Sequence, residues 1–291
     1  MQELELAGGA YQSPPAAPGW VARAFPSWSL YGRFVPIVLR ASRKAKRGLY
    51  SDAEWVRSSR AVLAALERVG VQVSVTGLDY LSALDGPCVV IANHMSTLET
   101  VVLPGLIQPI KPATFIVKQS LLETPVFRHV MRSRNPIAVT RTNPRQDLKD
   151  VLEGGVERLG RGISIVVFPQ TTRTVAFDPA EFSSIGAKLA ARAGVPIVPL
   201  ALQTQAWANG QRLKDFGTID PSRQVRIAFG EPLAVEGRGA EEHRAVVAYI
   251  DEHLAAWAAE DGEARPALPG AAERVARPDQ PTTEEPRAEE K

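Results

Sequence analysis

Residues 89–99 read VVIANHMSTLE, four apolar residues that end abruptly in Asn93 and His94. A carboxylate, Glu99, follows five positions after the histidine. Further along, residues 163–168 form a second apolar run, which ends in PQTTRT over residues 169–174. Short apolar runs bounded by polar residues are typical of buried strands. One strand end then offers a base near an acid and the other offers an arginine among hydroxyls, which indicates an enzyme that deprotonates a hydroxyl on a substrate with an anionic group.

The rest of the chain alternates apolar runs with stretches of helical periodicity. Near-continuous apolar runs are typical of strands in a parallel sheet whose two faces are covered. We therefore predict an α/β fold, a single domain over residues 71–260 with a largely parallel mixed sheet covered by helices. Active sites in such sheets lie beyond the carboxyl ends of the strands, where both polar stretches fall. The predicted strands are residues 71–75, 88–92, 114–117, 136–140, 163–168, 197–202 and 225–229, and the predicted helices are 51–69, 148–159, 185–192 and 240–260.

The chain before this domain divides into two parts. Residues 1–20 are rich in glycine and proline and are expected to be disordered. Residues 21–70 combine aromatic side chains with a basic cluster, which predicts a helical membrane-associating segment. The alternative is a helix that packs its aromatic side chains on the core and exposes its basic face. Neither a secretory signal nor a membrane-spanning helix is expected, since a span needs about 20 apolar residues.

Composition narrows the class of protein. A chain of 291 residues with 45% hydrophobic residues can bury one sizeable core, and a net charge of +2 gives no general case for nucleic-acid binding. The single cysteine, Cys88, excludes an internal disulfide framework and is expected to be buried. Residues 261–291 alternate proline with charge and lack aromatics, which predicts a disordered tail. The sequence has no cysteine and histidine cluster with metal-ligand spacing, so no metal is expected.

His94 and Glu99 can meet only in one local geometry. On a continuous helix, five residues subtend about 500°, which leaves the two side chains about 140° apart. The pair therefore requires His94 in the lead-in and Glu99 on the first helical turn, with Ser96 or Thr97 as the cap. A neutral imidazole oriented by a carboxylate can take a proton from a substrate hydroxyl at neutral pH.

Four sequence blocks resemble the glycerolipid acyltransferase family, the bacterial 1-acylglycerol-3-phosphate acyltransferases and their relatives. The resemblance runs from Val75 to Pro232. Two departures stand out: Glu99 replaces the aspartate that is usual in the family, and Gln170-Thr171 replace Glu-Gly. In chain order the four blocks are Asn93-His94-x4-Glu99, the segment from Lys118 to Arg141, Phe168 to Thr174, and Val195-Pro196-Ile197-Val198-Pro199.

The resemblance implies an O-acyltransferase of phospholipid biosynthesis, peripheral at the cytoplasmic face of the cell membrane. It would move a fatty acyl chain from acyl-CoA or acyl carrier protein to the free hydroxyl of a lysophospholipid such as lysophosphatidate, with no cofactor beyond the thioester donor. His94 would act as general base with Glu99 as its partner, and Arg173 would bind the acceptor phosphate. Further contacts to the acceptor are expected from Gln170, Thr172, Thr174, Arg141 and Lys118.

Two alternatives stay open at this point. Gln170 lacks the charge of the family's glutamate and Thr171 replaces a flexible glycine, which favours an acyltransferase with another acceptor, such as a lyso-aminolipid or a glycolipid. The other alternative is a lipid-binding protein of the same fold that has lost catalysis. It would bind lysolipid without turnover.

Overall fold

The computed structural model describes residues 8–15, 17–211, 213–264 and 266 of the 291-residue chain. Its strands are β1 (Tyr11–Gln12), β2 (Val73–Thr76), β3 (Val89–Ala92), β4 (Ala113–Lys118), β5 (Ile137–Val139), β6 (Ser164–Val167), β7 (Ile197–Gln203) and β8 (Val225–Phe229). Its helices are α1 (Trp20–Ala24), α2 (Pro26–Lys46), α3 (Asp52–Arg68), α4 (Leu78–Ala83), α5 (Thr97–Ile107), α6 (Phe127–Ser133), α7 (Pro144–Gly160), α8 (Ile185–Ala193) and α9 (Ala240–Glu260).

The strands form one sheet in the order β1-β2-β8-β7-β3-β6-β4-β5. The pairs β2–β8, β7–β3, β3–β6, β6–β4 and β4–β5 are parallel, whereas β1–β2 and β7–β8 are antiparallel. The predicted α/β fold with a largely parallel mixed sheet covered by helices is therefore confirmed. Because β3 and β6 are adjacent and parallel, the polar stretches that follow them emerge at the same edge.

Successive residues of the central strands face two different layers of helices. Val90 and Ala92 of β3 pack with apolar residues of α2 to α6, whereas Val89 and Ile91 pack with those of α7 to α9. All four residues of β3 and all four of β6 are buried, which accounts for their continuous apolar sequence. Cys88 is buried beside them, as expected, and burial raises the pKa of its thiol.

Glycines allow close packing on the α7–α8 side of the sheet. Gly155 lies inside α7, where glycine costs about 1 kcal/mol relative to alanine. A Cβ at this position would lie 2.4 Å from a methyl carbon of Leu189, a fully buried residue of α8. The glycine therefore permits α7 and α8 to approach closely. The same residue that lowers the intrinsic stability of α7 is needed for its packing.

The prediction that residues 1–20 are disordered is wrong for Tyr11 to Ser13. Tyr11 and Gln12 form β1, antiparallel to β2. The hydroxyl groups of Tyr11 and Ser13 both donate to Glu67 of α3, and the Ser13 amide donates to the Val73 carbonyl at 2.8 Å. A strand of two residues has no periodicity to detect, so its contacts with distant parts of the chain were not foreseeable. Residues 1–7 and 16 lie outside the described part of the chain.

The segment 21–70 contains helices α1, α2 and α3. The α3 helix begins after Ser51, whose side chain accepts a hydrogen bond from the Glu54 amide. In α2, Leu30 and Phe34 are buried, whereas Trp28 is 80% exposed, so this helix both packs on the core and presents an aromatic residue to the outside. None of the helices in the described ranges is long and apolar enough to cross a membrane.

The C-terminal boundary of the domain lies slightly beyond the predicted residue 260. Asp261 follows α9 and accepts hydrogen bonds from both terminal nitrogens of Arg226, at 2.8 and 2.7 Å. It also accepts a hydrogen bond from the side-chain Nε2 of Gln203 at 3.0 Å, so it connects the end of α9 to β7 and β8. Residues 265 and 267–291, which make up most of the predicted disordered tail, lie outside the described residues.

Candidate active site

The predicted site residues that follow β3 and β6 lie together at the carboxyl edge of the sheet. Asn93 fixes the end of β3, because its side-chain amide donates to the Leu202 carbonyl at 2.8 Å and accepts from the Leu202 amide at 2.9 Å. These two bonds clamp β3 to β7. The backbone of His94, the next residue, is thereby held where the strand stops.

Helix α5 begins at Thr97, three residues after the histidine, with Ser96 as its cap. The Ser96 hydroxyl accepts from the Leu98 amide at 3.1 Å, and Glu99 on the first turn accepts from the Ser96 amide at 2.9 Å. This reciprocal arrangement is a capping box. It turns Glu99 back toward His94, whose Nδ1 lies 3.0 Å from Oε1 of Glu99. The contact thus has the lead-in geometry that the spacing requires.

Glu99 is fully buried, and five groups surround its carboxylate. Burial alone would raise the pKa of this carboxyl group, but the hydrogen bonds from His94, the Ser96 amide and Thr204 outweigh burial and lower it. The carboxylate is therefore ionised at neutral pH and bound in one orientation. Oε1 accepts from the amides of Met95 (2.6 Å) and Ser96 and from His94 Nδ1, and Oε2 accepts from the hydroxyls of Ser96 (2.9 Å) and Thr204 (2.7 Å).

The His94 ring is held on one face and open at one nitrogen. It stacks on Phe168 with ring centroids 4.4 Å apart and planes 19° from parallel. With Nδ1 directed at Glu99, the other nitrogen, Nε2, makes no hydrogen bond within the described part of the chain, and 14% of the side chain is exposed. An imidazole held in this way can accept a proton at Nε2 from a group that approaches from outside.

Gln170 and Thr174 form hydrogen bonds that connect the loop after β6 to the backbone of His94. Gln170 Oε1 accepts from the His94 amide at 2.6 Å, and its Nε2 donates to the Thr174 hydroxyl at 2.8 Å. The Thr174 amide donates to the His94 carbonyl at 3.0 Å, and its hydroxyl donates to the Ala176 carbonyl. Both side chains therefore connect the two strand ends. They also line a small cavity, so their contact with the acceptor stays a prediction.

Arg173 does reach the edge of α5, where it meets a carboxylate. Its Nη1 donates to the Thr97 hydroxyl, and its Nη2 lies 2.7 Å from Oδ1 of Asp215. The Arg173 side chain is 16% exposed and that of Asp215 36%. A cationic group thus lies beside the N-terminus of α5, and the next residue, Thr174, bonds the His94 carbonyl.

The other residues predicted to contact the acceptor, Arg141, Thr172 and Lys118, differ in how they contact the loop after β6. Arg141 donates from Nη1 to the Thr171 carbonyl, so it touches the loop after β6. Its backbone has a φ of 63°, a left-handed conformation held by Asp147, which accepts from the Arg141 amide at 2.7 Å. Thr172 is exposed and accepts from Lys214 at 3.2 Å. Lys118 at the end of β4 is exposed, and its side chain makes no hydrogen bond or ion pair within the described residues.

Two further residues of this site escaped the sequence analysis. Thr204 follows β7 directly, so the reasoning that selected the ends of β3 and β6 would have found it if applied to a third strand. Asp215 lies in the connection between β7 and β8, and no motif or periodicity marks it. A carboxylate in a loop is most often solvated, and only the fold brings this one to Arg173.

Space beside the site is limited. A cavity of about 60 Å³ is lined by Gln170 and by Thr171, Thr172 and Thr174, and one of about 290 Å³ lies between Met95, Phe177 and Leu254. His94 lines neither cavity. Among the described residues, no group of three or more histidine, cysteine or acidic side chains could hold a metal ion.

Comparisons with known proteins agree on one family. A family model described as Acyltransferase matches residues 72–203, which include both strand ends. A 1-acyl-sn-glycerol-3-phosphate acyltransferase from Pseudomonas aeruginosa is 31% identical over 192 residues, which cover 66% of this chain and 69% of that protein. A probable 1-acyl-sn-glycerol-3-phosphate acyltransferase from Mycoplasma genitalium is 31% identical over 151 residues, 50% of this chain and 56% of that protein.

A solved structure supports the fold. The crystal structure of the 1-acyl-sn-glycerophosphate (LPA) acyltransferase from Thermotoga maritima superimposes with a TM-score of 0.58, over 85% of this chain and 99% of that chain. The two sequences are 20% identical, so this similarity shows the fold alone.

Proposed function

The chain belongs to the glycerolipid acyltransferase family, and we propose that it moves a fatty acyl chain from acyl-CoA or acyl carrier protein to the free hydroxyl of lysophosphatidate. It is an acyltransferase of phospholipid biosynthesis, as the names of its relatives indicate. The observation that carries the proposal is the 3.0 Å contact between His94 Nδ1 and the buried carboxylate of Glu99, since no described residue then bonds Nε2.

The proposed reaction uses no nucleophile from the protein. His94 Nε2 takes the proton of the acceptor hydroxyl as its oxygen attacks the thioester carbonyl, and Glu99 stabilises the imidazolium that forms. Collapse of the tetrahedral intermediate breaks the carbon–sulfur bond, and the imidazolium returns the proton to the thiolate that leaves. A positioned general base of this kind contributes about 10²–10⁴-fold to a rate.

Arg173 is our candidate for the phosphate of the acceptor. A guanidinium matches the geometry of a phosphate better than any other side chain, and this one lies 16% exposed beside the first turn of α5. A helix N-terminus also favours an anion, since its amide groups are only partly bonded. Arg141, which contacts the Thr171 carbonyl, and Lys118 at the end of β4 add positive charge at this edge of the sheet, and Thr172 adds an exposed hydroxyl.

Lysophosphatidate is preferred over the other acceptors because of where Gln170 points. The replacement of the family's Glu-Gly by Gln170-Thr171 is the observation that favours an acceptor other than lysophosphatidate. Both polar atoms of the Gln170 side chain are engaged by His94 and Thr174, so its identity bears on the loop more than on the headgroup. A lipid-binding role without catalysis leaves the free Nε2 of His94 unexplained.

We also propose that the protein works at a membrane surface. Three aromatic residues at or near the start of the segment 21–70 are strongly exposed: Trp20 (78%), Phe25 (56%) and Trp28 (80%). Aromatic side chains suit the headgroup region, and the basic residues that follow in α2 suit anionic lipid. Because the one cysteine fits a reducing compartment, we place the enzyme at the cytoplasmic face, with the thioester donor as its only cosubstrate.

The test is an acyl-transfer assay with the wild type, His94→Ala and the control His129→Ala. Labelled acyl-CoA and acyl carrier protein serve as donors, and lysophosphatidate, a lyso-aminolipid and a lysoglycolipid as acceptors. We expect transfer to lysophosphatidate by the wild type and the control, and a loss of about 10²–10⁴-fold in His94→Ala. Full activity of His94→Ala would end the general-base role, and lysolipid binding without transfer by the wild type would identify a binding protein.

A further inference from the structure

Arg173 already holds an anion that belongs to this chain. Its Nη2 lies 2.7 Å from Oδ1 of Asp215, and its Nη1 donates to the Thr97 hydroxyl. The Thr97 hydroxyl in turn donates to the same Oδ1 at 3.2 Å. Guanidinium, hydroxyl and carboxylate thus form a closed triangle at the start of α5. An oxygen of a phosphate that binds Arg173 would have to take the position that Oδ1 of Asp215 occupies.

Asp215 comes from the connection between β7 and β8, whose base is firmly placed. The Ala208 amide donates to the Thr218 carbonyl at 2.9 Å, and the Asp220 amide donates to the Ala206 carbonyl at 2.9 Å. Trp207 at the base is fully buried and packs edge-on against Phe34 of α2 with ring centroids 5.0 Å apart. The base is therefore part of the folded core.

The tip of this connection, the described residues from 208 to 217, is compact. A Cβ on Gly210 would lie 2.2 Å from the Leu213 carbonyl oxygen, and one on Gly217 would lie 1.7 Å from the Ala208 carbonyl oxygen. The two sides of the tip therefore approach as closely as glycine permits. Asp215 therefore lies on a loop whose backbone is closely packed against itself, which restricts where its side chain can point.

The backbone next to Asp215 is held by Phe216, whose ring lies 5.3 Å from that of Tyr31 in α2. The contacts of the Asp215 side chain itself, and of the polar residues around it, are partly exposed. Beyond the ion pair, Lys214 donates to the Thr172 hydroxyl at 3.2 Å and Asn209 donates to the Met95 carbonyl at 2.7 Å. The side chain of Asp215 is 36% exposed. Ion pairs with this much solvent contribute little free energy, and a phosphate carries more charge than a carboxylate. The carboxylate is placed to be exchanged by a stronger anion.

We propose that Asp215 is an internal counter-ion that competes with the phosphate of the acceptor for Arg173 and thereby sets how strongly charged an acceptor must be. The inference rests on the proposed role of Arg173 as the phosphate site. An acceptor without an anionic group leaves the triangle closed, whereas a phosphate displaces Asp215. Asp215 is in this sense a specificity-determining residue that acts against binding.

The test compares the wild type, Asp215→Asn and the control Asp220→Asn in the full chain. Asp220 lies at the base of the same connection, where its Oδ1 accepts from the Ser222 amide at 3.0 Å, away from Arg173. We expect Asp215→Asn to lower the KM for lysophosphatidate by about twofold to fivefold, the range that partly exposed ion pairs support. Inhibition by inorganic phosphate is expected to strengthen by a similar factor, and Asp220→Asn to match the wild type in both.

The outcomes separate this inference from the proposed function. An active wild type whose acceptor KM and phosphate inhibition are unchanged or weakened by Asp215→Asn would overturn the competition. If the wild type transfers no acyl group, the proposed function fails, and titration calorimetry with inorganic phosphate then decides the role of Asp215. Tighter phosphate binding by Asp215→Asn than by the wild type and Asp220→Asn supports it, and equal binding overturns it.

Discussion

The ends of β3 and β6 lie side by side, yet they hold their charged groups in opposite ways. Glu99 has no exposed surface and is bonded by five groups, from its own helical turn, from His94 and from Thr204 after β7. Arg173 is bonded by two side chains, and its carboxylate partner lies in a loop with 36% of its side chain exposed. The first arrangement fixes a group in place, and the second allows a partner to leave.

This difference matches two chemical tasks. A general base needs an orienting partner that does not move during the reaction, since misplacement of the imidazole costs rate. A group that binds a ligand needs a partner that the ligand can replace. Glu99, the partner of His94, is accordingly held by backbone amides and short hydroxyl side chains. Arg173 is bonded by side chains alone.

The largest effect is expected from breaking the buried arrangement with Glu99→Gln. An amide has the shape of the carboxylate but no charge, and its NH₂ group would face donors. We expect kcat to fall by about 10⁴-fold, the cost of the equivalent change in a serine hydrolase triad, where the wrong histidine tautomer forms. Steady-state acyl transfer measures this loss, and thermal unfolding of the same sample shows whether the fold survives. A folded Glu99→Gln protein within tenfold of the wild type would contradict the orienting role.

The exposed arrangement is tested by Arg173→Ala, with a smaller expected effect. Charge-assisted hydrogen bonds contribute about 1.5–3 kcal/mol, so we expect the KM for lysophosphatidate to rise by about 10- to 100-fold. Arg173→Ala also leaves Asp215 without its cation, so the double variant with Asp215→Asn is expected to regain part of the affinity. Equal KM values for the single and double variants would show that the carboxylate does not oppose the acceptor.

A still smaller effect is expected from Thr204→Val, which removes one donor from Glu99 and keeps the side-chain shape. Leaving a buried acceptor with one partner fewer costs about 1–3 kcal/mol, so the free energy of unfolding is expected to fall by that amount. The matched control is Thr100→Val, since the Thr100 hydroxyl bonds only the Thr97 carbonyl of its own helix. Urea unfolding of both variants measures the difference. Equal stabilities would show that Thr204 adds nothing to the buried network.

The smallest effect is expected from Gln170→Glu, which restores the residue usual in the family. One carboxylate oxygen can still accept from the His94 amide, and the Thr174 hydroxyl can turn to donate to the other. We expect a change in unfolding free energy of about 1 kcal/mol or less and an unchanged order of preference among acceptors. A changed order in the acceptor panel would show that Gln170 contacts the headgroup after all.

Local features of the sequence were enough to predict that the candidate site residues lie at one edge of the sheet. The apolar runs before Asn93 and Pro169 predicted two buried strands, and the strand-end rule brought their polar continuations together. The five-residue spacing of His94 and Glu99 allowed contact only at a helix start, and α5 begins there. These inferences depended on residues close together in the chain, where sterics and hydrogen bonding limit the choices.

Contacts between distant segments could not be predicted in this way. The direction of the Gln170 side chain depends on the backbone of His94, 76 positions earlier, and the partner of Arg173 comes from a loop 42 positions later. Neither segment carries a pattern that encodes the meeting. The roles of His94, Glu99 and Arg173 in the reaction, the acyl donor and the membrane surface stay predictions, since geometry alone tests none of them.

The two-residue strand β1 has a consequence for association between molecules. It covers the outer edge of β2, and Ser13 satisfies both the amide and the carbonyl of Val73. Without residues 8–13, the outer backbone groups of β2 would be free to pair with an edge of a second chain. Loss of this short segment would therefore lead to sheet-to-sheet aggregation, while the charged groups at the distant ends of β3 and β6 kept their places.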